Sequence, residues 1–153
     1  MGRELVPNEV TSLYIVPPLD THYYVERRKL FTRLEGLLSL GNTSHRRIVV
    51  LLGMGGTGKT QLALRYCRHV KNRGGIFWLD ASSRNALESS MVAVCKYLLP
   101  DRIVDNPHDA VVLVRTTLSN WSNPWLFMFD NLDNPTTFRI SYASFRTANV
   151  GAS

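Results

Sequence analysis

Cysteine is scarce: Cys67 and Cys95 are the only two in 153 residues, and each falls inside a helix-like apolar pattern. That excludes a disulfide framework and a thiolate zinc cluster, both of which need cysteines at short regular spacings, and leaves two buried thiols as the expectation. The four histidines do not supply a metal site either. Cys67 and His69, two residues apart, diverge on a helix. Long apolar runs are also lacking. No stretch approaches the roughly 18 residues needed to cross a bilayer, and "MGRELVPNEV" has no signal-peptide core. The expectation is an intracellular, cytoplasmic chain with no membrane partner. Acidic residues number 12 against 18 lysines and arginines, for a formal net charge of +6. The basic residues are scattered, the densest clusters being only Arg27-Arg28-Lys29 and Arg46-Arg47, so a solvated basic face explains the balance better than a nucleic-acid-binding stripe.

What is present suits one ordinary globular domain, with 44% hydrophobic and 20% charged residues. Residues 1–22 carry Pro7, Pro17 and Pro18 and no period, and read as an extended arm or linker. Residues 23–153 read as the domain. In "ERRKLFTRLEGLLSL", Leu30, Phe31, Leu34, Leu37 and Leu38 recur at helical spacing, and "GNTSH" breaks the pattern. "RRIVVLLG", residues 46–53, is a continuous aliphatic run of the kind that forms a central strand covered on both faces. A helix is expected from Lys59, with Leu62, Ala63, Tyr66, Cys67 and Val70 on one face, until Gly74-Gly75 stops it. "IFWLD" (76–80) is strand-like, and Ala86, Leu87, Ser90, Met91, Val94, Cys95 and Leu98 then share a helical face. Asn106 as cap, Pro107 at the first helical position and Asp109 announce another helix, with Val111, Val114, Leu118 and Trp121 on its stripe. "WLFMFD" (125–130) reads as a third buried strand. Strand, helix, strand, helix, helix, strand predicts an α/β fold with a parallel sheet flanked by helices.

The most specific stretch is "LLGMGGTGKTQLALRY", residues 51–66. Gly53, Gly58, Lys59 and Thr60 meet the phosphate-loop pattern G-x-x-x-x-G-K-[ST] at every fixed position, between a strand-like run and an amphipathic helix. Glycines permit positive φ and close approach, so that backbone N–H groups can wrap a phosphate at the head of a helix. Gly53, Gly55, Gly56, Thr57, Gly58, Lys59, Thr60 and Gln61 are the candidate nucleotide-binding residues. Lys59 would reach the β- and γ-phosphates of ATP or ADP, and the Thr60 hydroxyl would ligate Mg2+. Asp130, delivered at the C-terminal end of "WLFMFD", is the second candidate magnesium ligand. Lys59 and Asp130, with Asp133 as a substitute water-orienting acid, form the candidate catalytic set.

At these residues the chain resembles the STAND class of phosphate-loop NTPases, and within it the NB-ARC domains of intracellular receptor and cell-death switch proteins. "LLGMGGTGKTQLALRY" looks like the family's glycine-loop signature, "FWLDASS" like its second strand and "LFMFDNLDN" like its magnesium strand. Thr57 stands where relatives usually carry an aliphatic residue. "YYVERRKLFTRLEGLL" resembles a diverged form of a segment near the nucleotide, which implies that role for Val25 and Arg27, although Glu26 replaces the family's glycine. Relatives often carry a second acid after the magnesium aspartate; here Asn131 stands there, and asparagine cannot act as a general base. The resemblance also implies that the sensor strand and the helical and winged-helix subdomains are missing, residues 23–153 being a partial nucleotide-binding domain.

The expected function is that of the ADP- and ATP-binding core of a signalling switch, with slow ATP hydrolysis at best. An alternative is an interaction module without turnover, associating with itself or with full-length relatives through unpaired strand edges. A DNA-dependent ATPase and a small-molecule kinase are further alternatives; no helix-turn-helix cue and no acceptor lid support them.

Overall fold

A computed structural model describes residues 13–18, 25–38 and 49–133. Within them lie β1 (Tyr14–Ile15), α1 (Arg28–Leu38), α2 (Lys59–His69), β2 (Gly75–Asp80), α3 (Arg84–Leu98), α4 (Pro107–Ser119) and β3 (Trp125–Asp130). The strands form a three-stranded sheet in the order β1-β2-β3, both pairings parallel, so the chain is a small α/β fold with helices on the sheet's two faces.

Side chains alternate across a strand, and here the alternation sorts two cores. Phe77 and Leu79 of β2, with Phe127 and Phe129 of β3, pack against Leu87, Met91, Val94 and Leu98 of α3 and Ala110, Val114 and Leu118 of α4. Ile76 and Trp78, with Leu126 and Met128, face the other way, onto Leu34 and Leu38 of α1 and Leu62, Tyr66 and Cys67 of α2. The Tyr66 hydroxyl donates to the Leu38 carbonyl at 3.3 Å and so links α2 to the end of α1. Both cysteines are fully buried, and desolvation pushes the Cys67 thiol up to about 12, which keeps it protonated and inert at neutral pH.

The helices form where spacing and caps predict them, although α2 ends at His69, short of Gly74, and α4 at Ser119, before Trp121. Asn106 Oδ1 accepts the Asp109 N–H at 2.9 Å, with Pro107 in the first turn, as its sequence announces. Ser83 caps α3 in the same way, accepting from Ala86 N–H at 3.1 Å. On α1 the apolar stripe is only partly covered: Leu34 and Leu38 are buried, whereas Leu30 and Leu37 are nearly half exposed.

The strands depart further from expectation. Within the stretch read as an arm, Tyr14 and Ile15 pair with Ile76 and Phe77, and the Leu13 carbonyl accepts the Ile76 N–H at 2.8 Å. In its described part, residues 49–53, the run before the glycine loop is not a strand covered on both faces. Residues 49–53 have no strand partner among the described residues; Val49 and Leu51 pack inward against the α1/α2 core, while Val50 and Leu52 point outward, 67% and 88% exposed. An aliphatic run signals burial in general, and only a neighbouring strand on each side would cover both of its faces. The start of that run, residues 46–48, lies outside the described residues, as does "FRTANVGAS". For the same reason β3 is half-buried along its whole length rather than buried: β2 is its one strand neighbour among the described residues.

Gly74 and Gly75 do not end α2, which stops at His69, but sit at the start of β2. The Gly75 N–H donates to the Pro124 carbonyl at 3.0 Å, drawing the two strand starts together. A Cβ on Gly74 would collide with that Pro124 carbonyl, and one on Gly75 would stand 2.7 Å from the Trp121 ring. Backbone cannot move aside as a flexible side chain can. Gly74→Ala should therefore lower stability by about 1–3 kcal/mol, read as a reduced urea midpoint with an unchanged m-value; an unaltered midpoint would show that the strand starts can separate freely.

Candidate functional site

The glycine loop joins residues 49–52 to the first turn of α2, and its backbone requires glycine at two positions. Gly56 has φ 75° and Gly58, the N-cap residue of α2, has φ 82°, in the left-handed region that costs other L-residues roughly 1–2 kcal/mol. Beside Gly55, Gly56 and Gly58 a Cβ would meet nothing within 4 Å, so the loop borders open space along its glycine side. Gly53 is different: a Cβ there would stand 3.0 Å from Thr57 Oγ1.

Two side chains brace the loop from within. Thr57 donates its hydroxyl to the Met54 carbonyl at 2.8 Å, and the Thr57 N–H reaches the same oxygen at 3.4 Å. An aliphatic residue at 57 could not make the hydroxyl bond. The Lys59 ammonium donates to the carbonyls of Gly53 at 2.7 Å and Met54 at 2.9 Å, so it is folded back over the loop's entrance.

The head of α2 is bare of the usual side-chain partners. Gly58 offers no side-chain cap and the first turn carries no acid, whereas α3 and α4 are capped by Ser83 and Asn106. Its first N–H groups and the positive end of the helix dipole thus face outward at the loop, the arrangement that favours an anion. Arg68 and His69 in the last turn suit the opposite end.

Thr60 and Asp130, 70 residues apart in sequence, meet here. The Thr60 hydroxyl donates to Asp130 Oδ1 at 2.9 Å, placing the strand-end carboxylate beside the glycine loop. Gln61, next on the helix, has its Oε1 buried with no hydrogen-bond partner among the described residues, an acceptor that an incoming donor would satisfy. Gly53, Gly55, Gly56, Thr57, Gly58, Lys59, Thr60, Gln61 and Asp130 therefore form one neighbourhood.

The other candidates, Val25, Arg27 and Asp133, are exposed. Val25 is 75% exposed and Arg27 is exposed just ahead of α1, where the Arg27 carbonyl accepts the Phe31 N–H at 3.0 Å. A surface depression lined by Glu26, Arg27, Arg28, Lys29 and Leu30 is confined to that turn and includes no residue of the glycine loop. Asp133 is exposed, its N–H donating to the Asn131 carbonyl at 2.9 Å.

One residue that sequence reasoning passed over belongs to the same rim. Asp80 ends β2 in register with Asp130, and both occupy the alternation positions of Ile76, Trp78, Leu126 and Met128, on the α1/α2 face. The Ser82 N–H donates to Asp80 Oδ1 at 3.0 Å, and hydrogen bonding from Ser82 holds this carboxylate below the usual range. "FWLDASS" carried a signal in its strand-final acid, though only the strand pairing reveals its neighbour.

For a magnesium nucleotide the donor set fits: a hydroxyl and a carboxylate are hard oxygen ligands, and magnesium usually takes only one or two such groups, completing its shell with water and phosphate. Among the described residues no cluster of three or more histidine, cysteine, aspartate or glutamate side chains could hold a metal without such help, and no helix is long and apolar enough to cross a membrane. No protein family, curated protein or solved structure matches the chain.

The depressed Asp80 predicts a pH effect of definite sign. A carboxylate that ionises more readily in the folded state adds stability above its unfolded value, and that contribution fades as pH falls through the lower native value. Asp80→Asn should flatten the acid limb of the stability curve below about pH 4, with a difference under about 1 kcal/mol for so exposed a group; thermal melts at pH 7, 4 and 3 measure it, and parallel curves would contradict the assignment.

Proposed function

We propose that the chain binds an adenine nucleotide at the glycine loop and is the nucleotide-binding core of a STAND-type signalling NTPase of the NB-ARC kind. One observation carries the reading: the 2.9 Å bond between Thr60 and Asp130, which joins the last fixed position of the G-x-x-x-x-G-K-[ST] pattern to the carboxylate at the end of an apolar strand. A glycine turn serving only as a connection has no need of that carboxylate. The uncapped head of α2, the positive φ of Gly56 and Gly58 and the open space beside three glycines support it further.

In this reading the loop N–H groups and the head of α2 bind the phosphates, and Lys59 exchanges its bonds to the Gly53 and Met54 carbonyls for bonds to phosphate oxygens. Thr60 and Asp130 would hold a magnesium ion, which neutralises phosphate charge when bound. Gln61 offers its buried acceptor near the same helix head. Turnover would be slow. The residue after Asp130 is Asn131, which cannot take a proton from water. A protein that holds nucleotide and hydrolyses it slowly suits a switch, whose two states are distinguished by the nucleotide bound.

Titration calorimetry with ADP and with Mg-ATP tests this. The wild-type chain should bind in the micromolar range, on the order of 8 kcal/mol, and Lys59→Ala should weaken binding by about tenfold or more. A folded wild-type chain that gives no heat with either nucleotide, or binding indifferent to Lys59→Ala, would overturn the proposal.

A further inference from the structure

Three donors converge on one carbonyl at the entrance of the glycine loop. The Met54 oxygen accepts the Thr57 hydroxyl at 2.8 Å, the Lys59 ammonium at 2.9 Å and the Thr57 N–H at 3.4 Å. A carbonyl oxygen has two lone pairs, and the two short bonds from side chains fill them. The N–H contact is the weak third, longer than the usual N–H···O range of about 2.7–3.2 Å. Thr57 and Lys59 also pass the same spot. A Cβ on Gly53 would stand 3.0 Å from Thr57 Oγ1 and 3.8 Å from Lys59 Cδ, so the bare Gly53 backbone leaves room for the hydroxyl beside the lysine stem.

The consequence appears when the ammonium leaves. To reach a phosphate, Lys59 must give up the Gly53 and Met54 carbonyls, and an acceptor left without a donor costs more than a bond exchanged. We propose that Thr57 is a positioning residue for Lys59: its hydroxyl keeps the Met54 carbonyl satisfied while the ammonium moves from the loop's entrance to phosphate. The inference rests on the nucleotide reading above and adds a role to it. It also gives the threonine at position 57 a use that an aliphatic residue could not fill. Without the hydroxyl, the Met54 oxygen would depend on Lys59, and binding a nucleotide would leave it only the long N–H contact.

Calorimetric titrations of ADP and Mg-ATP against a double-mutant cycle separate this role from a general brace. Thr57→Val keeps the shape of the side chain and removes the hydroxyl; it should weaken both nucleotides by about three- to tenfold, the range for one hydrogen bond. Thr57→Ser keeps the hydroxyl and should stay within about twofold of wild type. In a Lys59→Ala background there is no ammonium to release, so adding Thr57→Val should cost less than about twofold. Circular dichroism of each ligand-free variant checks that it folds.

Equal losses from Thr57→Val with and without Lys59 would overturn the proposal by showing a brace that acts independently of the lysine. So would Thr57→Val with unchanged affinity, Thr57→Ser as weak as Thr57→Val, or a Thr57→Val chain that no longer folds. A wild-type chain that binds neither nucleotide would remove the functional reading first and this inference with it, whereas wild-type binding with an indifferent Thr57→Val removes this inference alone.

Discussion

Six residues of β2 run parallel to six of β3, from Gly75 opposite Trp125 to Asp80 opposite Asp130, and nearly every other feature depends on that ladder. It starts where the Gly75 N–H meets the Pro124 carbonyl, and Gly74 and Gly75 lack the side chains that would hold the two starts apart. It ends by bringing two aspartates to the same edge. Between these limits the ladder presents one row of side chains to α3 and α4 and the other to α1 and α2. Burying an aliphatic or aromatic side chain such as Ile76, Phe77 or Leu79 contributes roughly 1.5–3 kcal/mol, so β2, with both faces covered, anchors both layers.

The chemistry of the rim follows from the same register. In a parallel pair, residues in register project to the same face, and because Leu126 and Met128 face α2, so does Asp130. A shift of β3 by one residue would carry that carboxylate to the α3/α4 side, away from Thr60. The contact between Thr60 and Asp130 is therefore a readout of strand register as much as of local attraction. The packing of Leu62, Tyr66 and Cys67 of α2 against Ile76 and Leu126 holds the other partner in place.

The helices were legible because their signal is local. A period of apolar residues and a capping side chain act over a few positions, and α3 and α4 need no distant partner to be recognised in "NALESSMVAVCKYL" or "NPHDAVVLV". The glycine loop was legible for a related reason: positive φ at Gly56 and Gly58 is a demand of the backbone on single residues. Strand burial was not. "RRIVVLLG" and "WLFMFD" are both apolar, yet coverage depends on neighbours supplied by other parts of the chain; Val50 and Leu52 are exposed and β3 is half-buried. Tyr14 and Ile15 belong to the sheet through two residue pairs, too short a stretch for any period to show. Asp80 escaped notice because its importance lies in the residue across the ladder.

The loop and the rim also differ in how their polar groups are satisfied, which bears on what can bind. At the rim the carboxylates are already answered: Asp80 by the Ser82 N–H, Asp130 by the Thr60 hydroxyl. At the loop the satisfaction is one-sided. Lys59 and Thr57 supply donors to the carbonyls of Gly53 and Met54, while among the described residues the donors at the head of α2 receive no side-chain cap and Gln61 keeps an unpaired acceptor. A ligand rich in acceptors, with a few donors of its own, is the complement of that imbalance. Phosphate supplies the first and the amino group and hydroxyls of a nucleoside the second. The rim, by contrast, is preorganised: the orientation of its carboxylate is set by the fold.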